Sequence, residues 1–194
     1  MAGVIGALDN NIGVVGVAPG PVIIPVKVLD ADGSGSMSDV IKGIEWVAAN
    51  GKRGDVCNIS LSGNTNEALD KAVRRASRSG VRFVLSAGNT SSSAATRSPS
   101  RANNRRISTI TAVDQSGELA WFANTGKPPV DYAAPGVEIK STYKDGGYAT
   151  MDGTRCVRFY KNDRVLFDCH LQPITFLFSL TFINASSCFT LILS

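Results

Sequence analysis

Between Ser36 and Leu85 the chain alternates helix, strand, helix and strand at short, regular intervals, and few folds accept that order. From Ser36 to Asn50 the apolar residues Val40, Ile41, Ile44, Val47 and Ala48 recur at helical spacing, with Ser36-x-x-Asp39 as a cap and Gly51 as a stop. Val56 to Leu61 then reads as a short strand. A second amphipathic helix, from about Asn66 to Ser79, is built on Leu69, Ala72, Val73 and Ala76 and ends at Gly80. Val81 to Leu85 is a buried-strand run that leads into Ser86-Ala87-Gly88-Asn89. The pattern predicts an α/β fold around a mostly parallel sheet.

Beyond it, Ser91 to Arg106 is polar and reads as a surface loop, and Ile107 to Val113 resumes a strand. Short β segments are expected at Ala120–Ala123 and Val137–Lys140, punctuated by Pro135-Gly136 and Gly146-Gly147. In open α/β sheets functional residues gather beyond the carboxyl ends of the strands. That edge would carry Asp32-Gly33-Ser34-Gly35, Ser60-Leu61-Ser62-Gly63 and Ser86-Ala87-Gly88-Asn89. These are small residues that let another backbone approach, with one amide able to donate a hydrogen bond.

Composition divides the chain. All 19 glycines lie at or before Gly153, and six of the 8 phenylalanines follow Arg155. Residues 1–155 therefore read as one domain and 156–194 as an unrelated tail. Cys156, Cys169, Cys188 and the single histidine, His170, fall in the tail at spacings that fit no metal-ligand pattern. The net charge of +4 is mild, and the arginines gather at Arg74–Arg78 and Arg97–Arg106. Without interleaved aromatics these clusters read as a solvated helix face and a solvated loop, so nucleic acid is not an expected partner. The uncharged final run is broken by Asn184, Ser186, Ser187 and Thr190, which makes it a poor membrane span. Met1 to Leu8 has no basic leader, so no signal peptide is read and the compartment is left open.

The residues at the strand ends, in their order and spacing, resemble the subtilisin-like serine peptidases, the subtilases. Met1-Ala2-Gly3 is similar to the end of that family's histidine motif, H-G-T-H-V-A-G, and Gly13 to Pro19 to the G-V-x-G-V-A-P that follows it. Val26-Lys27-Val28-Leu29 and Gly33-Ser34-Gly35 resemble the strand and loop that pair with substrate main chain. Ser60-Leu61 stands where the family has S-L-G-G, with Ser62 departing from glycine. Ser86-Ala87-Gly88-Asn89 is similar to A-A-G-N, which ends in the oxyanion-hole asparagine. Tyr132 to Gly136 and Tyr148 to Thr154 resemble the approach to the nucleophile motif G-T-S-M-A.

The resemblance implies a subtilisin-like three-layer fold, incomplete at both ends, and in intact members the hydrolysis of peptide bonds in a polypeptide substrate or propeptide. It places the histidine upstream of Met1, the aspartate further upstream, and Arg155 at the nucleophile position. A guanidinium forms no acyl intermediate. His170, lying after that position, is no substitute base, so the chain as written is expected to be an inactive fragment. The alternative is a non-catalytic pseudoprotease that holds an extended peptide by strand addition. The chemistry needs no cofactor. The resemblance does imply a structural calcium loop in the intact family, matched by Leu8, Asn10, Ile12 and Val14. The family is mostly secreted. Arg155-Cys156-Val157 can be encoded with the form of a splice donor, and a T-rich intron reads as Phe, Leu, Ile and Ser, so the tail is expected to be translated intron or an apolar appendage.

Overall fold

A computed structural model of the chain describes residues 1–154 and 188–192. Arg155, Cys156, Cys169, His170 and the expectations attached to them lie outside the described residues. Helices α1 (Ala2–Gly6), α2 (Met37–Asn50) and α3 (Glu67–Ala76) are interleaved with strands β1 (Ile23–Lys27), β2 (Val56–Ile59), β3 (Gly63–Asn64), β4 (Arg82–Ser86) and β5 (Arg97–Ser98). Then come β6 (Ile107–Val113), β7 (Val130–Pro135), β8 (Ile139–Thr142), β9 (Tyr148–Met151) and β10 (Cys188–Ile192). The main sheet has the order β1-β10-β2-β4-β6-β7 and every pairing in it is parallel. Two small antiparallel ladders, β3 with β5 and β8 with β9, sit beside it.

The helices form where the apolar period predicts. Ser36 caps α2 by accepting from Asp39 N–H at 3.1 Å, while its hydroxyl donates back to the Asp39 carboxylate. That bond, with Lys42 alongside, holds the Asp39 carboxyl below its ordinary value. Asn66 caps α3 in the same way through Leu69 N–H. Gly51 does end α2 but in an extended conformation. The left-handed glycine that closes a helical segment is Gly80, φ 104°, after a short 3₁₀ turn at Ser77–Ser79.

Both long helices lie on one face of the sheet. Val40, Ile44 and Val47 of α2 and Leu69 and Val73 of α3 join Cys57, Ile59, Phe83, Leu85 and Ile107 in one buried cluster. The opposite face holds a smaller group, Val84, Ile110 and Ala134, with Val56 and Tyr132 against it. β6 is buried on both faces along most of its length, as a central parallel strand should be.

Three expectations need correction. The Ser91–Arg106 segment is not simply a surface loop, because Ala94, Ser98, Ser100 and Ala102 are fully buried in it. Side-chain hydroxyls tie it to the sheet: Ser100 Oγ donates to Ser86 O at 2.9 Å, and Ser100 O accepts from Thr109 Oγ1 at 2.7 Å. Nor is its arginine cluster merely solvated, since Arg101 Nε reaches the wholly buried Asp70 of α3 at 2.6 Å. Finally, Ala120–Ala123 forms a turn region rather than a strand, with Ala120, Phe122 and Ala123 tucked against Ala112.

From the tail, Cys188–Ile192 enters the sheet itself, between β1 and β2. No helix among the described residues is long and apolar enough to cross a membrane.

Candidate active site

Because the sheet is parallel, the carboxyl ends of β1, β2 and β4 open on one edge, and the polypeptide leaves it as the three small-residue segments picked out in the sequence. β4 ends at Ser86 and passes through Ala87 and Gly88, both buried, to the exposed Asn89. There it meets the end of the described domain. Thr154 N–H donates to Asn89 Oδ1 at 3.0 Å and Thr154 Oγ1 donates to the same oxygen at 2.6 Å. With its proton so used, Thr154 Oγ1 accepts from Ser86 Oγ at 2.6 Å and from Gly88 N–H at 3.2 Å.

This fixes the orientation of the Asn89 amide. A backbone N–H can only donate, so the side-chain atom facing Thr154 must be the oxygen. Nδ2 and its two protons are left on the other side, with no hydrogen-bond partner among the described residues. An amide donor with no partner among the described residues is thus brought beside Thr154.

Asn124 holds that turn from beneath. It is wholly buried, its Oδ1 accepts from Thr90 N–H at 2.9 Å and Ser92 N–H at 3.0 Å, and its Nδ2 donates to Ala87 O at 3.0 Å. Both flanks of Asn89 are thus tied to one side chain. Gly88 has φ 103° and packs so closely that a Cβ there would stand 2.5 Å from Asn124 Nδ2 and 2.8 Å from Ser62 Oγ. Ser62 thereby joins the β2 segment to the β4 segment. Sequence reasoning missed Asn124, because its bonds cross more than thirty residues and Asn-Thr-Gly by itself signals only a turn.

The other segments are placed less tightly. Ser60 is buried and accepts from Asn58 Nδ2 at 2.7 Å, and Gly63 pairs with Ser98 in the small β3–β5 ladder. Leu61 is half-buried against the main core. The Gly33-Ser34-Gly35 loop is exposed and closed on itself: Asp30 Oδ1 accepts from Asp32 N–H at 3.0 Å and Ser34 N–H at 2.9 Å, and Asp30 N–H donates to Ser34 O at 2.7 Å. Ser34 and Gly35 border a groove of about 860 Å³ between β1 and the flank of α2, which Lys42 and Trp46 also line. That groove includes neither Asn89 nor Ser62, so it is distinct from the amide edge. Asp131, whose carboxyl is pushed up by burial against the pull of Thr109 N–H, sits near the start of β6, at the other end of the strands.

Leu8, Asn10, Ile12 and Val14 fall in a turn after α1. Leu8 and Ile12 are exposed, and Asn10 Oδ1 accepts from Ile12 N–H at 3.2 Å. Those residues offer at most about four oxygens where calcium takes six to eight. Among the described residues no group of three His, Cys, Asp or Glu stands ready to hold a metal. These four residues by themselves do not complete a calcium shell, and no step below passes through the ion.

The edge geometry can be set beside known proteins. The model of the subtilase family, Peptidase S8, matches residues 1–155. The chain belongs to the subtilase family. A thermostable alkaline protease of Halalkalibacterium halodurans is 41% identical over 155 residues, covering 79% of this chain and 41% of that protein. Subtilisin BL of Lederbergia lenta is 40% identical over 155 residues, covering 79% of this chain and 55% of that one. The crystal structure of a cold-adapted subtilisin-like serine proteinase superposes with a TM-score of 0.63 at 43% identity, covering 66% of this chain and 46% of the other. This subtilase chain thus spans 41% to 55% of the length of those two curated relatives. The α/β fold with a mainly parallel sheet is the subtilisin-like one.

Proposed function

We propose that this chain supplies the substrate-holding side of a subtilisin-like serine endopeptidase site, and that as a 194-residue polypeptide it binds extended peptide without cleaving it. The observation that carries the reading is the pair of Thr154 bonds to Asn89 Oδ1, which leaves Nδ2 with no partner among the described residues and able to donate beside Thr154. An extended polypeptide would lie between the Gly33–Gly35 and Ser60–Gly63 segments, with a carbonyl oxygen directed at Asn89 Nδ2. In peptide hydrolysis that oxygen gains negative charge at the tetrahedral stage, and a fixed amide donor stabilises it most there.

Chemistry would stop short of an acyl-enzyme. Arg155 offers no hydroxyl or thiol, and the only histidine, His170, follows it in the chain. In subtilisin, a member of this family, loss of one oxyanion donor costs about 10²–10³ in rate, whereas loss of the nucleophile or base costs about 10⁶. Keeping the donor does not offset the larger loss.

The expected result is that a serine-directed fluorophosphonate labels the purified chain no more than it labels the denatured control. Arg155→Ser alone should raise hydrolysis of a fluorogenic peptide by less than about tenfold, because a serine without a base is a poor nucleophile. Stoichiometric labelling of the unmodified chain would contradict the reading.

A further inference from the structure

We infer that Asn89 is an acceptor for an N-linked glycan, and that a glycan there closes the edge at which its amide otherwise donates. The acceptor pattern N-x-[ST], without proline in the middle, occurs at Asn58-Ile59-Ser60, Asn89-Thr90-Ser91 and Asn184-Ala185-Ser186. The third lies outside the described residues. The structure separates the other two. Asn58 is 4% exposed in β2, its Nδ2 already donates to Ser60 Oγ at 2.7 Å, and β2 has a strand paired on each side. A sugar on that nitrogen would have to enter packed interior. Asn89 is exposed in the turn that follows β4, and its Nδ2 has no hydrogen-bond partner among the described residues. Glycosylation leaves the side-chain oxygen in place, so both Thr154 bonds to Oδ1 survive it.

The chemistry falls on one atom. The donor is an oligosaccharide joined through pyrophosphate to a lipid carrier and delivered by an oligosaccharyl transferase. A bond forms between Nδ2 and C1 of the first sugar, and the bond from C1 to the pyrophosphate oxygen breaks. The lipid pyrophosphate leaves, Nδ2 gives up one of its two protons, and nothing is oxidised or reduced. In the folded turn Thr90 N–H donates to Asn124 Oδ1 at 2.9 Å, Ser91 N–H to Phe122 O at 2.9 Å and Ser91 Oγ to Trp121 O at 2.8 Å. The transferase has to engage this triplet, so transfer precedes the docking of the turn on Asn124. The finished fold then keeps the modification at Asn89 and excludes it at Asn58. Closure of the edge rests on the peptide-binding reading given under Proposed function, whereas the acceptor assignment stands apart from it.

The full chain carrying Ser186→Ala, which removes the acceptor in the tail, is secreted from a eukaryotic host behind a cleavable leader and digested with peptide N-glycosidase. The expected product carries a single glycan, released with conversion of Asn89 to aspartate, while Asn58 is unmodified and Ser91→Ala abolishes the glycan. Translation into microsomes reads the same loss in Ser91→Ala without requiring secretion. Absence of a glycan at Asn89, or a glycan at Asn58 in the folded product, would overturn the assignment. The glycosylated chain should bind an extended peptide at least about tenfold more weakly than the bare chain, roughly the loss of one hydrogen bond. Equal binding by the two would overturn the closure. A bare chain that binds no peptide would instead count against the peptide edge, with the glycan at Asn89 still standing.

Discussion

Gly88→Ala should lower the stability of the domain by about 3–5 kcal/mol and its melting midpoint by roughly 10 °C or more. Two penalties combine. Gly88 has φ 103°, where an L-residue with a Cβ is strained by about 1–2 kcal/mol. The new methyl would also stand 2.8 Å from Ser62 Oγ and 2.5 Å from Asn124 Nδ2, and the Asn124 side chain is not free to move. Asn124 is wholly buried and bonded on both sides, so relief of the clash breaks its bond to Ala87 O or its bonds to Thr90 and Ser92 N–H. Each buried group left unpaired costs about 1–3 kcal/mol. A thermal or denaturant melt measures the loss. A midpoint within about 2 °C of the parent would show that the β4 turn is looser than the contacts indicate.

The second large effect is expected at Asp70. Arg101→Met should destabilise by about 2–4 kcal/mol, somewhat less than the ~3–5 of a fully enclosed pair, because water reaches the guanidinium side. The Arg101 side chain is 33% exposed while that of Asp70 is 0% exposed, and Asp70 Oδ1 already lacks a hydrogen-bond partner among the described residues. Removing Arg101 leaves a buried carboxylate with nothing to compensate it. It also loosens the Arg97–Arg106 segment, whose Ser100 supports the end of β4. Combining the change with Asp70→Asn should recover most of the loss, so a double-mutant cycle should show coupling of about 1–3 kcal/mol. Additive effects would mean that the pair is no more than a surface contact.

The parts of the fold visible in the sequence are those set by local periodicity. α2, α3 and β6 stand where their apolar spacing puts them, with Ser36 as the cap of α2. Long-range polar bonding is what the sequence hid. Ser98 and Ser100 look like loop residues because serine is usually solvated, yet both are buried, Ser98 Oγ accepting from Asn66 N–H and Ser100 Oγ donating to the end of β4. Asn124 and the Asp70–Arg101 pair were hidden for the same reason, since the residues they join lie about thirty positions apart. β10 was hidden because tail composition reports nothing about which slot in a sheet stands open. At the candidate site, small residues at strand ends and the resemblance together marked Asn89, but only the Thr154 bonds show which way its amide faces.

The central claim is that the Asn89 amide, set against Thr154, marks an edge that receives extended polypeptide. Nuclear magnetic resonance of the full chain, titrated with a saturating extended peptide, addresses it most directly. The account predicts shifts concentrated at the Asn89 side-chain NH₂ and at the backbone amides of Gly33 to Gly35 and Ser60 to Gly63, with the peptide recovered uncut. Shifts confined to the groove at Lys42 and Trp46, or rapid cleavage of the peptide, would contradict it.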